Sequence, residues 1–231
     1  MTRIGMFTMG AMVALAIAAA APKGEGPGER GFDFGGLSRH DKPPLAKDDG
    51  EKKILGALDE MSKGRWYLNV TTREGRFLRQ VTEAIGAKRV VEIGTSSGYS
   101  TLWLALGVRG TGGRVITHDM DPKVLQTARE NFKKAGVEEL IAVVEGDAHE
   151  TAKKLEGPID LLFLDADKKG YLDYLEKLLP LVRPGGLILG HDMNGSMPDP
   201  RFIDAITTNP ILDSSFILME TYGISFTVKK R

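Results

Sequence analysis

Val90-Val91-Glu92-Ile93-Gly94-Thr95-Ser96-Ser97-Gly98-Tyr99-Ser100 reads as a buried strand that breaks into a glycine turn and restarts as a helix. Gly94 and Gly98 let the backbone approach a ligand where a Cβ would collide, and the new helix presents N–H groups with no intrahelical partner. Such a junction marks a nucleotide-type cofactor site. The Gly-x-Gly-x-x-Gly spacing that cradles a pyrophosphate is absent, and Glu92 beside the turn would repel phosphate while suiting a ligand with a cationic amine.

Outward from this turn the chain alternates strand and helix. Apolar strands read at Arg89–Ile93, Arg114–Thr117, Ile141–Val144, Ile159–Leu164 and Leu187–Leu189, and helices at Tyr99–Leu106, Pro122–Ala135, Ala148–Leu155 and Tyr171–Leu181. Asp121-Pro122 supplies an N-cap followed by proline in the first helical turn, and Gly136 supplies the stop. The pattern predicts a doubly wound, Rossmann-like α/β sheet, mostly parallel. A short helix around Phe202–Ile206 follows, then two β-rich runs, Phe216–Glu220 and Ile224–Val228, expected to close the sheet as an antiparallel pair. Upstream, Ile54, Leu55, Leu58 and Met61 recur at helical spacing, as do Phe77, Leu78, Val81 and Ile85, so two helices precede the turn.

In an open α/β sheet ligands bind beyond the carboxyl ends of the strands. Three acids stand there: Glu92 on the first strand, Asp119 after the second, and Asp147, followed by Ala148, after the third. Asp119 lies 25 positions beyond Gly94, where a carboxylate can accept from both ribose hydroxyls. Asp147 is placed to meet an adenine amino group. An adenosyl sulfonium, S-adenosylmethionine, satisfies all three acids together.

The 231 residues are 42% hydrophobic and 27% charged, with 31 basic and 31 acidic side chains. That suits one soluble catalytic domain and supplies no global field for nucleic acid, which is therefore disfavoured and not expected as a partner. The chain has no cysteine, which removes disulfides, thiolate nucleophiles and thiolate zinc sites. Arg3 precedes an apolar stretch, Ile4 to Ala21, ending near Ala18-Ala19-Ala20, the pattern of an export signal. Residues 1–21 are therefore expected to be a signal-like or anchor segment that engages the export machinery or membrane. Residues 22–50, rich in Gly and Pro, read as a flexible linker, and 51–231 as the catalytic domain. Export would place the enzyme in the periplasm or outside the cell, whereas a cofactor made in the cytosol favours the cytoplasm.

The fourth strand runs into Asp165-Ala166-Asp167-Lys168 and the fifth into His191-Asp192-Met193-Asn194. Asp165, Asp192 and Asn194 would offer hard oxygen ligands of the kind that suit Mg²⁺, Ca²⁺ or Mn²⁺ more than zinc. Their alternative reading is as loop caps and solvated turn residues.

Several segments together resemble the cation-dependent O-methyltransferases related to catechol and caffeoyl-CoA O-methyltransferases. They are Asn69-Val70 with Glu74-Gly75-Arg76-Phe77-Leu78, Ala87 to Gly94 with Gly98-Tyr99-Ser100, Lys134-Ala135-Gly136-Val137, Leu164 to Lys168 with Tyr171, and Gly185-Gly186. The resemblance implies that Val70, Glu92, Gly94, Ser100, Asp119, Asp147 and Asp165 surround S-adenosylmethionine, that Asp165 and Asp192 bind the metal, and that Lys168 is the base. The family's adjacent Asp-Asn is here Asp192-Met193, with the asparagine displaced to Asn194, so Asn194 or His191 must stand in for the third ligand. Methionine sulfur is a poor partner for a hard cation. Trp66, Tyr67, Trp103, Met193, Met197 and Tyr222 are candidates to line the pocket of a small hydroxylated aromatic acceptor. Related enzymes are often dimers, and nothing in the sequence marks an interface. The competing readings are a dinucleotide dehydrogenase, a metal-independent methyltransferase acting on another nucleophile, and an exported, catalytically silent adenosyl-ligand-binding protein.

Overall fold

The computed structural model describes residues 42–63, 70–195, 197–218 and 222–231. The linker and leader readings for the first 41 residues, and Trp66 and Tyr67, lie outside them. Pro43–Arg231 forms one compact unit, and the description below concerns that unit.

Two helices come first. Helix α1 (Asp49–Lys63) buries Ile54, Ala57 and Leu58. Helix α2 (Thr72–Ala84) begins with a capping box: the Glu74 N–H donates to Thr71 Oγ1 (3.2 Å) and the Thr71 N–H donates to Glu74 Oε2 (2.8 Å). Each bond satisfies a backbone donor that the helix start leaves open.

The alternation that follows is β1 (Arg89–Ile93), α3 (Tyr99–Thr111), β2 (Arg114–Asp119), α4 (Pro122–Ala135), β3 (Ile141–Glu145), α5 (Ala148–Thr151), β4 (Ile159–Leu164), α6 (Tyr171–Leu178) and β5 (Val182–His191), then α7 (Pro200–Thr208), β6 (Leu212–Ile217) and β7 (Ile224–Lys229). The seven strands lie in the order β3-β2-β1-β4-β5-β7-β6. Strands β1 to β5 pair in parallel, and β7 runs antiparallel to both β5 and β6. The doubly wound, mostly parallel sheet with an antiparallel C-terminal pair is therefore as expected.

Strand β4 shows why the sheet is covered on both sides: Leu161, Leu162, Phe163 and Leu164 are all fully buried, an apolar run rather than an alternation. Alternate residues feed two cores. Val90, Leu161 and Phe163 join a cluster with α1, α2, α3 and α4. Val91, Ile93, Leu162 and Leu164 join a second with Tyr171, Tyr174, Phe202 and Ile206 from α6 and α7. The strand order reverses between β1 and β4, which opens a crevice at their carboxyl ends.

Boundaries differ in several places: the helix from Tyr99 runs on to Thr111 rather than ending at Leu106, and the helix from Tyr171 ends at Leu178 rather than Leu181. Strand β5 starts at Val182, five residues before the apolar run, because Val182 pairs with Ile159 across an irregularity that the Arg183-Pro184-Gly185-Gly186 sequence hides. Strand β6 is Leu212–Ile217, starting four residues before the predicted Phe216, while residues 219 and 220 of the predicted run lie outside the described residues; its register with β7 extends the ladder back through polar Asp213, Ser214 and Ser215. The predicted helix Ala148–Leu155 is one α-turn continued by a 3₁₀ turn, Ala152–Lys154.

Candidate functional site

The glycine turn is held from below. Pairing of β1 with β4 places Ile93 beside Leu164, and the Asp165 N–H donates to the Ile93 carbonyl at 2.8 Å. Gly94 adopts φ +101°, and a Cβ there would stand 2.3 Å from the Asp165 carbonyl oxygen. Gly98 (φ +84°) lies against the Phe132 ring, which a Cβ would meet at 2.4 Å. Both glycines are thus required by protein neighbours, one by the end of β4 and one by α4, where the sequence reading invoked a ligand.

Glu92 is fully buried behind the turn. Its Oε1 accepts from Ser100 Oγ (2.6 Å), and its Oε2 accepts from Thr101 (2.5 Å) and Thr117 (2.6 Å). Burial pushes this carboxyl up to about 7, against the three hydroxyl donors, which pull it down. Ser100, read from sequence as a separate cofactor contact, is joined to Glu92 by this bond. Asp119 is half-buried at the end of β2. Its Oδ2 accepts from the Ser96 N–H (2.9 Å) and its Oδ1 from the Asp121 N–H (3.1 Å), fixing the turn against the next loop. Asp147 is exposed and caps α5 through the His149 N–H (2.8 Å), with Ala148 buried beneath it. Val70, 3% exposed, precedes α2 on the same side as the first core.

At the carboxyl ends of β4 and β5 a second constellation forms. Asp165, His191 and Asp192 bring one ligand-type atom each to within 4.8 Å of one another. Lys168, in the short turn Lys168–Gly170, sets Nζ 3.1 Å from Asp165 Oδ1 and 2.7 Å from Asp192 Oδ2. Nζ also donates to the Tyr171 hydroxyl (2.9 Å), which in turn donates to the Leu164 carbonyl (2.7 Å). Asp192 holds a left-handed backbone, φ +60°, at the end of the strand, a conformation that costs a non-glycine residue about 1–3 kcal/mol and clusters at functional sites.

His191 was raised from sequence only as a stand-in ligand, and Glu74 only as part of a family segment. The structure joins them. His191 is 3% exposed, with Nδ1 3.0 Å from Asp165 Oδ1 and Nε2 3.2 Å from Glu74 Oε2. Burial opposes a charge on the ring, yet the hydrogen bonds and charges of Asp165 and Glu74 push it up to about 10. Burial likewise pushes Glu74 up, but His191 and the Thr71 N–H outweigh it and hold the carboxyl below its usual value. Glu74 Oε1 also accepts from the Gly223 N–H (3.1 Å), 149 residues away. The capping box was the visible signal, and it announces a helix start rather than a tie to β5 and β7.

Met193 belongs to the second apolar core, 6% exposed, and Asn194 is exposed on the loop beyond it. Of the proposed acceptor-pocket aromatics, Trp103 is buried in the first core with Tyr99 edge-on against it. It is a packing residue. The Tyr222 ring stands 5.6 Å from the His191 ring, and Met197 is 44% exposed.

A family model described as O-methyltransferase matches residues 48–194. A catechol O-methyltransferase of Mycobacterium tuberculosis is 44% identical over 150 residues, 64% of this chain and 67% of that one. A second, from Niastella koreensis, is 32% identical over 167 residues, 70% of this chain and 74% of that one. Among solved structures, an O-methyltransferase from Bacillus cereus in complex with SAH shares 29% identity and a TM-score of 0.67, covering 80% of this chain and 93% of that one. The match spans the glycine turn, the acids at the ends of β1, β2 and β3, and the Asp165–Lys168–Asp192 constellation, and by it the chain belongs to the O-methyltransferase family.

Proposed function

We propose that the chain transfers the methyl group of S-adenosylmethionine to a hydroxyl of a small, catechol-like aromatic acceptor, with a divalent cation assisting. One observation carries this reading: Asp165, Asp192 and Lys168 converge at the ends of β4 and β5, next to the glycine turn on β1.

The cofactor would lie over the turn between Val70 and Asp119. Glu92, bonded to Ser100, borders its amino end from beneath the turn, Asp119 takes the ribose hydroxyls, and Asp147 with Ala148 borders the adenine. Two carboxylates, 13% and 14% exposed, with an imidazole beside them make a donor set that fits a divalent cation. Asp165 and Asp192 would hold it. Bound there, such an ion acidifies a coordinated hydroxyl and fixes its orientation. Lys168, anchored through Tyr171, stands where the departing hydroxyl proton can be received, and the acceptor oxygen then forms its bond to the methyl carbon as the carbon–sulfur bond breaks. Tyr222 beside His191 offers an apolar wall for an aromatic ring.

The test is a methyl-transfer assay over a panel of catechols, with Mg²⁺ and with EDTA, beside calorimetry with S-adenosylmethionine. Asp165→Ala is expected to abolish turnover. Substantial activity in that variant, or activity indifferent to EDTA, would overturn the metal-assisted mechanism, while absent cofactor binding would overturn the whole reading. The same proposal assigns residues 1–21 as an export signal or anchor, to be checked by N-terminal sequencing of the mature protein. It admits a homodimer, to be checked by light scattering.

A further inference from the structure

Glu74 fixes how His191 faces the two aspartates. The Glu74 carboxylate is fully buried and already accepts from the Thr71 and Gly223 N–H groups, so toward the imidazole it acts as an acceptor and Nε2 keeps its hydrogen whether or not Nδ1 carries one. That leaves Nδ1 turned to the acids, 3.0 Å from Asp165 Oδ1 and 3.4 Å from Asp192 Oδ1. Without an ion the two acids are held by Lys168 Nζ, 3.1 Å from Asp165 Oδ1 and 2.7 Å from Asp192 Oδ2, and by a proton that Nδ1 turns toward Asp165, and a divalent cation would take the place of both. Two ligands at right angles on an ion with bonds of about 2.1 Å stand about 3.0 Å apart, which matches the first separation, and a somewhat wider angle gives the second.

A buried carboxylate behind an imidazole whose other nitrogen faces a ligand set is the outer-shell arrangement of metal-bound histidines. The family position for the third ligand is closed here, because Met193 is packed into the apolar core. We propose that His191, through Nδ1, is the third protein ligand of the cation held by Asp165 and Asp192, with Glu74 as the positioning residue that fixes its tautomer. The mixed nitrogen and oxygen set would then favour Mn²⁺ or Co²⁺ over Mg²⁺ and Ca²⁺, since imidazole suits transition metals better than alkaline-earth ions. The inference rests on the metal-assisted reading above and goes beyond it in naming the ligand and the preferred ion. Lys168 Nζ, at the mouth of the same acids, must swing aside on its flexible stem as the ion enters.

The experiment uses the full chain, stripped with chelator and titrated with Mn²⁺ under electron spin resonance, with pulsed detection of nearby nitrogen. Bound Mn²⁺ is expected to show imidazole nitrogen modulation that disappears in His191→Asn, and Mg²⁺ is expected to displace Mn²⁺ only in large excess. Glu74→Gln, folded by circular dichroism, should weaken Mn²⁺ binding by about 10–100-fold. Bound Mn²⁺ without nitrogen modulation in the unaltered protein overturns the proposal, as does modulation that persists in His191→Asn. If no Mn²⁺ binds at all, the proposal falls together with the metal-assisted mechanism. Cofactor binding measured by calorimetry then tells separately whether the methyltransferase reading survives.

Discussion

Gly94 serves two neighbours at once, and its replacement tests how closely the turn is tied to the acids. Gly94→Ala would force a Cβ toward the Asp165 carbonyl at 2.3 Å while keeping φ +101°. We expect a loss of about 1–3 kcal/mol in urea denaturation, with turnover falling as Asp165 is displaced. The sequence shows that a glycine is needed there but not why, because the neighbour comes from β4, 71 positions on. Glu74 and His191 were still harder to read: they are 117 positions apart and meet only through the register of β5. His118 and Glu92 make a matched pair of buried titratable groups. Burial lowers His118 from 6.5 to about 4, and its Nε2 is buried without a hydrogen-bond partner among the described residues. As pH falls from 6.5 to 4 the unfolded chain takes a proton that the folded chain refuses, so stability drops by about 1.4 kcal/mol per pH unit. Glu92, raised from 4.5 to about 7, works in the opposite sense. Its contribution is full below 4.5 and is lost as pH rises through about 7, at a similar slope of about 1.4 kcal/mol per unit. Between 4.5 and 6.5 the two offset each other. His118→Gln removes one of them, so relative to the unaltered protein the variant should gain about 1.4 kcal/mol of stability per unit of acidification across that window. Parallel pH–stability curves from chemical denaturation would count against this.

Helix α4 is the element whose ends were most legible. Asp121 caps it, accepting from the Lys123 N–H at 2.9 Å, and Gly136 closes it at φ +68°. Both signals are local, which is why both ends fell where the sequence put them. Asp121→Ala should cost about 1 kcal/mol in thermal or urea unfolding, with cofactor affinity kept. Strands β5 and β6 were legible only in their apolar parts. Their extra residues are polar or glycine-rich and are held by cross-strand pairing, as Ser214 shows in bonding both the Ile206 carbonyl (2.6 Å) and Thr227 (2.9 Å). Ladder partners come from elsewhere in the chain, so no window around residue 182 or 212 contains the information.

At the scale of the molecule, the sheet divides the apolar residues of Pro43–Arg231 between two faces, each with its own cluster. The unit has the cores it needs to fold alone. A chain beginning at Pro43 is expected to give the same cooperative unfolding transition as the full chain by circular dichroism; a broad transition or aggregation would show that earlier residues are required. Fold class was readable from alternation alone, since strands and helices of suitable length in that order admit few topologies. The constellation at the ends of β4 and β5 was half readable, because acids after strands are local features whereas their partners are not. The bond from Glu74 to the Gly223 N–H gives that division a temporal meaning. Residue 74 leaves the ribosome long before residue 223, and strand β7 must slot between β5 and β6 before the bond can close. A nascent chain can therefore complete its glycine turn early, yet it acquires a fully braced imidazole only once residue 223 has emerged and β7 has paired, so catalytic competence should lag behind the appearance of the parallel strands during synthesis.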